Sequence, residues 1–143
     1  MPFRFTDEIS TADIAFEAWG GTREELFISA AAALLNTMTE NPEQVERKQR
    51  VTIRLTHEEL DLLLFSFLQE LIFNKDARRL LLHADVARIE ESGGVFRLEA
   101  MASGERIDAT RHHLLVDVKA VTLHRFQVAF RDGYWRASVV LDV

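Results

Sequence analysis

The chain has 143 residues, 48% of them hydrophobic and 28% charged, which suits one soluble domain spanning residues 1–143 and excludes a disordered or membrane-embedded chain. A net charge of −6 argues against strong direct nucleic-acid binding, and the lack of Cys excludes disulfides, thiolate metal sites and a cysteine nucleophile. The opening, Met1 to Glu8, lacks the apolar core of a signal peptide and no apolar run reaches membrane-spanning length, so the cytoplasm is the default expectation.

Phe3 and Phe5 suggest a short first strand. A second follows Thr11, with Ile14, Phe16 and Ala18 on one face and Ala15, Glu17 and Trp19 on the other, and Gly20-Gly21 ends it. Thr22-Arg23-Glu24-Glu25 has the form of a capping box and predicts a first helix over roughly 22–39, stopped by Asn41-Pro42. The polar stretch from Glu43 to Gln49 reads as a solvated connection. Val51, Ile53 and Leu55 alternate with polar residues in a half-buried strand. A second capping box, Thr56-His57-Glu58-Glu59, predicts a helix whose wide apolar face runs from Leu60 through Phe67 to Ile72 and ends near Asn74-Lys75-Asp76, the centre of the core. The period then changes to two. Leu82 to Ile89 and Val95 to Ala100 form a hairpin around Ser92-Gly93-Gly94, Ser103-Gly104 reads as another turn, and Thr122 to Phe130 pairs with Tyr134 to Asp142 across Asp132-Gly133. Two helices among many short strands, without βαβ regularity, predict an α+β domain of mainly antiparallel sheet.

The stretch Asp117-Val118-Lys119-Ala120-Val121-Thr122-Leu123-His124 sets charged groups among residues that favour burial. A buried ammonium group needs an anion or loses its proton, so Lys119 points to an acidic site. Two acids stand in similarly apolar settings: Asp13 in Thr11-Ala12-Asp13-Ile14, and Asp142 in Val139-Val140-Leu141-Asp142-Val143, beside the Val143 terminal carboxylate. The expectation is that both ends of the chain meet at one site. Such a set offers only hard oxygen ligands, suited to Ca²⁺ or Mg²⁺ rather than Zn²⁺. The plainer readings are surface or ion-paired acids, and for Lys119 a snorkelling side chain with its head in water.

Other clusters carry less. His112 and His113 are adjacent, so on a strand they point to opposite faces and do not share an ion. No nucleophile elbow or phosphate loop occurs, and Glu24 and Glu25 suit the start of a helix.

Taken together, Thr11-Ala12-Asp13-Ile14, Ala18-Trp19-Gly20-Gly21-Thr22 with Glu25-Leu26-Phe27, Asp117 to His124 and the closing Val139 to Val143 resemble the archease family, in matching order along the whole chain. One departure is Ile9-Ser10 where archeases often carry Asp-His before Thr-Ala-Asp. The resemblance implies a non-enzymatic cytoplasmic cofactor that promotes activation and turnover of the tRNA-splicing RNA ligase, in tRNA splicing or RNA repair. It also implies a site of Asp13, Asp142 and Lys119 with bound Ca²⁺ or another hard divalent cation, to which the Val143 carboxylate would add a ligand. Two competing expectations are a small metal-dependent hydrolase or nuclease, which would act alone, and a chaperone-like binding module, which would tolerate loss of Asp13.

Overall fold

The computed structural model describes residues 2–6 and 13–143. Seven strands and two helices follow in the order β1 (Phe3–Thr6), β2 (Asp13–Gly20), α1 (Arg23–Met38), β3 (Gln49–His57), α2 (Leu60–Arg78), β4 (Leu80–Ser92), β5 (Val95–Arg106), β6 (Ala120–Arg131) and β7 (Tyr134–Asp142). The strands form two antiparallel sheets, ordered β1-β2-β7-β6 and β3-β5-β4. Both helices lie against both sheets: α1 touches β2 and β4, and α2 touches β3 and β6. This is the α+β arrangement of two helices and mainly antiparallel strands that the pattern predicts.

The core is one cluster that draws on both sheets and both helices. Leu63, Leu64, Phe67, Leu68, Leu71 and Ile72 of α2 are all buried, and Phe67 stacks on Phe27 of α1 with ring centroids 5.8 Å apart. A side chain buried in this way contributes roughly 1.5–3 kcal/mol relative to exposure, so this face of α2 binds the two sheets into one body. Among the described residues no helix is long and apolar enough to cross a membrane.

Local chemistry sets the boundaries. Thr22 caps α1 as predicted, its hydroxyl accepting the Glu25 backbone N–H at 3.1 Å. The Glu25 carboxylate bonds the backbone N–H of Gly21 at 3.0 Å, one residue before the cap. Gly20 ends β2 where α1 comes close: a Cβ there would lie 2.7 Å from the Leu26 backbone nitrogen. Both β-hairpin turns use two residues at positive φ, Gly93-Gly94 (60° and 77°) and Asp132-Gly133 (55° and 81°), the conformation that matches strand twist.

Several expectations need correction. Thr56 does not cap α2. It lies in β3, the helix begins at Leu60, and the His57 ring nitrogen Nδ1 accepts the Glu59 backbone N–H at 3.1 Å instead. The helix does not end near Asp76 but runs to Arg78, closed by Arg79 at φ 59°, ψ 37°. Ser103-Gly104 is not a turn; both residues are buried inside β5, where Gly104 lets the backbone of β4 pass closely. The connection after α1 contains a 3₁₀ turn, Pro42–Gln44, and the fully buried Val45. The largest correction concerns the stretch from Asp117. Strand β6 starts only at Ala120, and its register breaks between Thr122 and Gln127, where four residues stand opposite Val139 alone. Leu123 is 63% exposed, and Arg125 takes φ 54° within this bulge.

Candidate functional site

Strand β7 is the inner strand between β2 and β6, and this brings distant parts of the chain side by side. Asp13 pairs directly with Asp142, Ala15 with Val140 and Glu17 with Ser138. Directly opposed residues on antiparallel strands share a face with Cβ atoms about 4.5–5.5 Å apart, so the two aspartates stand as neighbours on the face turned away from the helices. On the other side of β7, Ala120 pairs with Asp142, and the Lys119 backbone N–H donates to the Asp142 carbonyl at 2.8 Å. Val143 follows, half-buried and packed against the core. The structure therefore brings Asp13, Lys119, Asp142 and Val143 to one end of the four-stranded sheet.

Both aspartates are half-buried, and neither side chain makes a hydrogen bond or ion pair with a described residue. Two like charges directly opposed on a sheet destabilise it, and they gain when a cation bridges them. Among the described residues no group of three or more His, Asp or Glu side chains gathers to hold a metal. A hard cation takes roughly six to eight oxygen ligands, so the pair would need the Val143 carboxylate, backbone carbonyls, water or a partner's groups to complete a shell. In donor type the site fits such an ion; in side-chain number it supplies only part of the shell.

Next to the pair, two residues along each strand, lies a cleft of about 530 Å³. Ala15 and Val140 are its buried floor, Thr6, Glu17 and Ser138 lie along it, and Arg125, Phe126 and Gln127 of the β6 bulge form the opposite wall. Phe126 is held by an edge-on contact with Phe65 of α2, 5.6 Å between centroids. Glu17 stands opposite Ser138 in the register, and its carboxylate takes two hydrogen bonds from Arg4, at 2.7 and 2.9 Å. A base so engaged does not activate the Ser138 hydroxyl. Residues Ile9, Ser10, Thr11 and Ala12, which the sequence reading tied to this site, lie outside the described residues.

Lys119 is not the buried lysine that its surroundings suggested. Its side chain is exposed and makes no ion pair with a described residue, in line with the snorkelling alternative. The buried one is Lys75, 4% exposed in the last turns of α2. Its ammonium group donates to the carboxylates of Asp117 and Asp76, each at 2.5 Å, and to the Val118 carbonyl at 2.7 Å. This fixes the backbone just before Lys119. Gln69, six residues earlier on α2, takes the Val121 backbone N–H at 2.7 Å. Helix α2 thus anchors the start of β6 on both sides of Lys119, and through it the position of Asp142. Sequence reasoning missed Lys75 although a signal was present: it continues the buried stripe of Leu64, Leu68 and Leu71 at helical spacing.

The adjacent histidines are both engaged. His113 is exposed beside Glu40, while the buried His112 accepts the Asp108 backbone N–H on Nδ1 at 2.9 Å and bonds Glu105 through Nε2 at 3.1 Å. Both nitrogens of His112 are occupied, so it offers nothing to a metal.

The sequence model of the Archease protein family matches residues 3–143. The chain is 35% identical to a protein archease of Pyrococcus furiosus over 134 residues, covering 93% of this chain and 94% of that one. It is also 35% identical to the protein archease of Methanothermobacter thermautotrophicus over 141 residues, covering 99% and 98%. The solution structure of protein 1598 from Methanobacterium thermoautotrophicum superposes with a TM-score of 0.85 at 34% identity, covering 99% of this chain and 98% of that one. A Thermotoga maritima archease, described there as a possible chaperone, shares the fold with a TM-score of 0.65 at 21% identity, over 96% of each chain.

Proposed function

The chain belongs to the archease family, and from that premise we propose that it is a non-enzymatic accessory protein of the tRNA-splicing RNA ligase, acting through a hard cation held at Asp13, Asp142 and the Val143 carboxylate. One observation carries the metal part of this reading: two half-buried aspartates face each other across β2 and β7 with no described cationic partner. The cation, Ca²⁺ by family likeness, supplies the positive charge that this pair lacks. The residues' own part is to present carboxylate oxygens beside an open cleft, while Lys119, bonded to the Asp142 carbonyl through its backbone N–H, holds that end of β7 in place. An incomplete shell suits an ion shared with a partner, because the remaining ligands can come from that partner.

Asp142→Asn gives a test with two opposite signs. Without added cation, removing one of two opposed charges should raise stability slightly, by about 0.2–1 kcal/mol. With Ca²⁺ at about a hundred times its dissociation constant, the original protein should gain about 2.7 kcal/mol and the variant little of that. Thermal unfolding with and without Ca²⁺ measures both, and a variant that gains as much as the original protein removes the site. The partner is tested separately: with limiting ligase, the protein should increase guanylylation and the number of turnovers, and Asp13→Asn should not. Full stimulation by Asp13→Asn would favour a chaperone-like module.

A further inference from the structure

The three-stranded sheet packs its inner face on the helices and leaves its outer face open from the Gly93-Gly94 end as far as the Met101 row, beyond which Ser103 and Glu105 are buried. Register aligns that outer face in rows across β3, β5 and β4: Thr56, Arg97 and Glu90; then Arg54, Glu99 and Arg88; then Thr52, Met101 and Val86; with Arg50 beside Ser103 beyond them. Four exposed arginines therefore share this face with Glu90 and Glu99, while Asp85, which accepts from Ser103 beside Arg50, is paired with Arg47 at 2.9 Å, so positive charge stays in excess on a chain whose net charge is −6. Arg54 is engaged by Glu99 at 3.0 Å. Arg50, Arg88 and Arg97 make no hydrogen bond or ion pair with a described residue. Strand geometry spaces these side chains by about 7 Å along a strand and about 10 Å across the middle one. Between Arg50 and the Arg54–Arg88 row lies an apolar row in which Met101 is 39% and Val86 50% exposed. A shallow hollow of about 300 Å³ opens among Arg54, Arg88, Glu90 and Arg97.

We infer that this outer sheet face binds the phosphate backbone of single-stranded RNA. Unpaired guanidinium groups spread over a flat surface suit an extended polyanion, and the Met101–Val86 row gives unstacked bases an apolar surface to lie on. An acidic protein surface would match the arginines but would gain nothing from that row. Net charge, which argued against nucleic acid at the sequence level, averages this face away. The choice of RNA over DNA rests on the proposed ligase role; the charge argument does not. The face belongs to the other sheet from Asp13 and Asp142, so it can fail independently of the cation site.

The test uses the full chain and a fluorescein-labelled 12-nucleotide oligouridine in an anisotropy titration. Three phosphate contacts predict a slope of about −2 for log affinity against log salt, and therefore about a 20-fold loss from 50 to 200 mM salt. The combined variant Arg50→Gln, Arg88→Gln and Arg97→Gln should lose at least tenfold in affinity at 50 mM salt with its thermal unfolding unchanged, while Asp13→Asn should bind as the original protein does. No binding at 50 mM salt, or equal binding by the triple variant, overturns the inference. Equal affinity for oligodeoxythymidine overturns the choice of RNA, and equal competition by oligoglutamate reassigns the face to an acidic protein.

Discussion

Replacing Gly104 with alanine should destabilise the protein by about 3 kcal/mol or more, because an added Cβ meets backbone there more closely than at any other glycine. A Cβ on Gly104 would lie 1.7 Å from the Leu81 carbonyl oxygen, 2.8 Å from its carbonyl carbon and 3.0 Å from the Leu82 Cα. These are backbone atoms of the paired strand, so no rotamer change relieves the overlap. Strand β4 must move, and β4 carries the buried Leu80, Leu81 and Leu82 against the core. Urea denaturation checks this: the midpoint should fall strongly for Gly104→Ala, and a midpoint unchanged within error would contradict the close approach of the two strands.

Glu105→Gln should cost about 2–3 kcal/mol at neutral pH and should also change the acid limb of stability. The Glu105 side chain is 5% exposed and receives donors from several directions: Arg111, the Glu46 backbone N–H at 2.6 Å and His112 at 3.1 Å. The hydrogen bond from Arg111 is the main reason that its pKa is lowered from 4.5 to about 2; the bonds from Glu46 and His112 add to it, and burial opposes them. Because the folded value lies below the unfolded one, the unfolded chain binds more protons between these two pH values. The stabilisation is complete above about pH 4.5 and is lost as the pH falls towards about 2. Arg111 remains 37% exposed, so solvent screens part of the pair and the cost is set below that of a wholly buried ion pair. Denaturation at pH 7 and at pH 2 gives the comparison. The deficit of Glu105→Gln should shrink at the lower pH, and a deficit independent of pH would show that the charge on Glu105 is not what holds these groups together.

What could be read from the sequence was the periodic part. The apolar stripe of α2, the Thr22 cap and the two tight hairpins follow from short-range rules, and the structure has each of them. The pairing of Asp13 with Asp142 was legible only as a resemblance in composition between two distant stretches and through family likeness; no local rule gives that register. The reading of Lys119 failed for a definite reason. Val118 and Val121 are buried, but the backbone between them is not yet a paired strand at Lys119, so alternation does not predict which residues turn inward. Lys75 was hidden by its charge, since besides the adjacent Asp76 its ammonium group is met by Asp117 and the Val118 carbonyl, which lie beyond β5. Gly104 looked like a turn because a glycine needed for space and one needed for positive φ cannot be told apart without the neighbouring strand.

The place of β7 between β2 and β6 also bears on how the molecule comes to be folded. The β4–β5 hairpin closes over the short Gly93-Gly94 turn, whereas β2 must find a partner nearly the whole chain away. Closing that long loop costs entropy before any contact offsets it, and such non-local pairing is slow. The half of the protein holding the three-stranded sheet can therefore organise early, and the two aspartates are brought together late, by the same event that completes the four-stranded sheet. Pulse-labelled hydrogen exchange during refolding should show amides of β4 and β5 protected before those of β2, and simultaneous protection of all three would contradict this order.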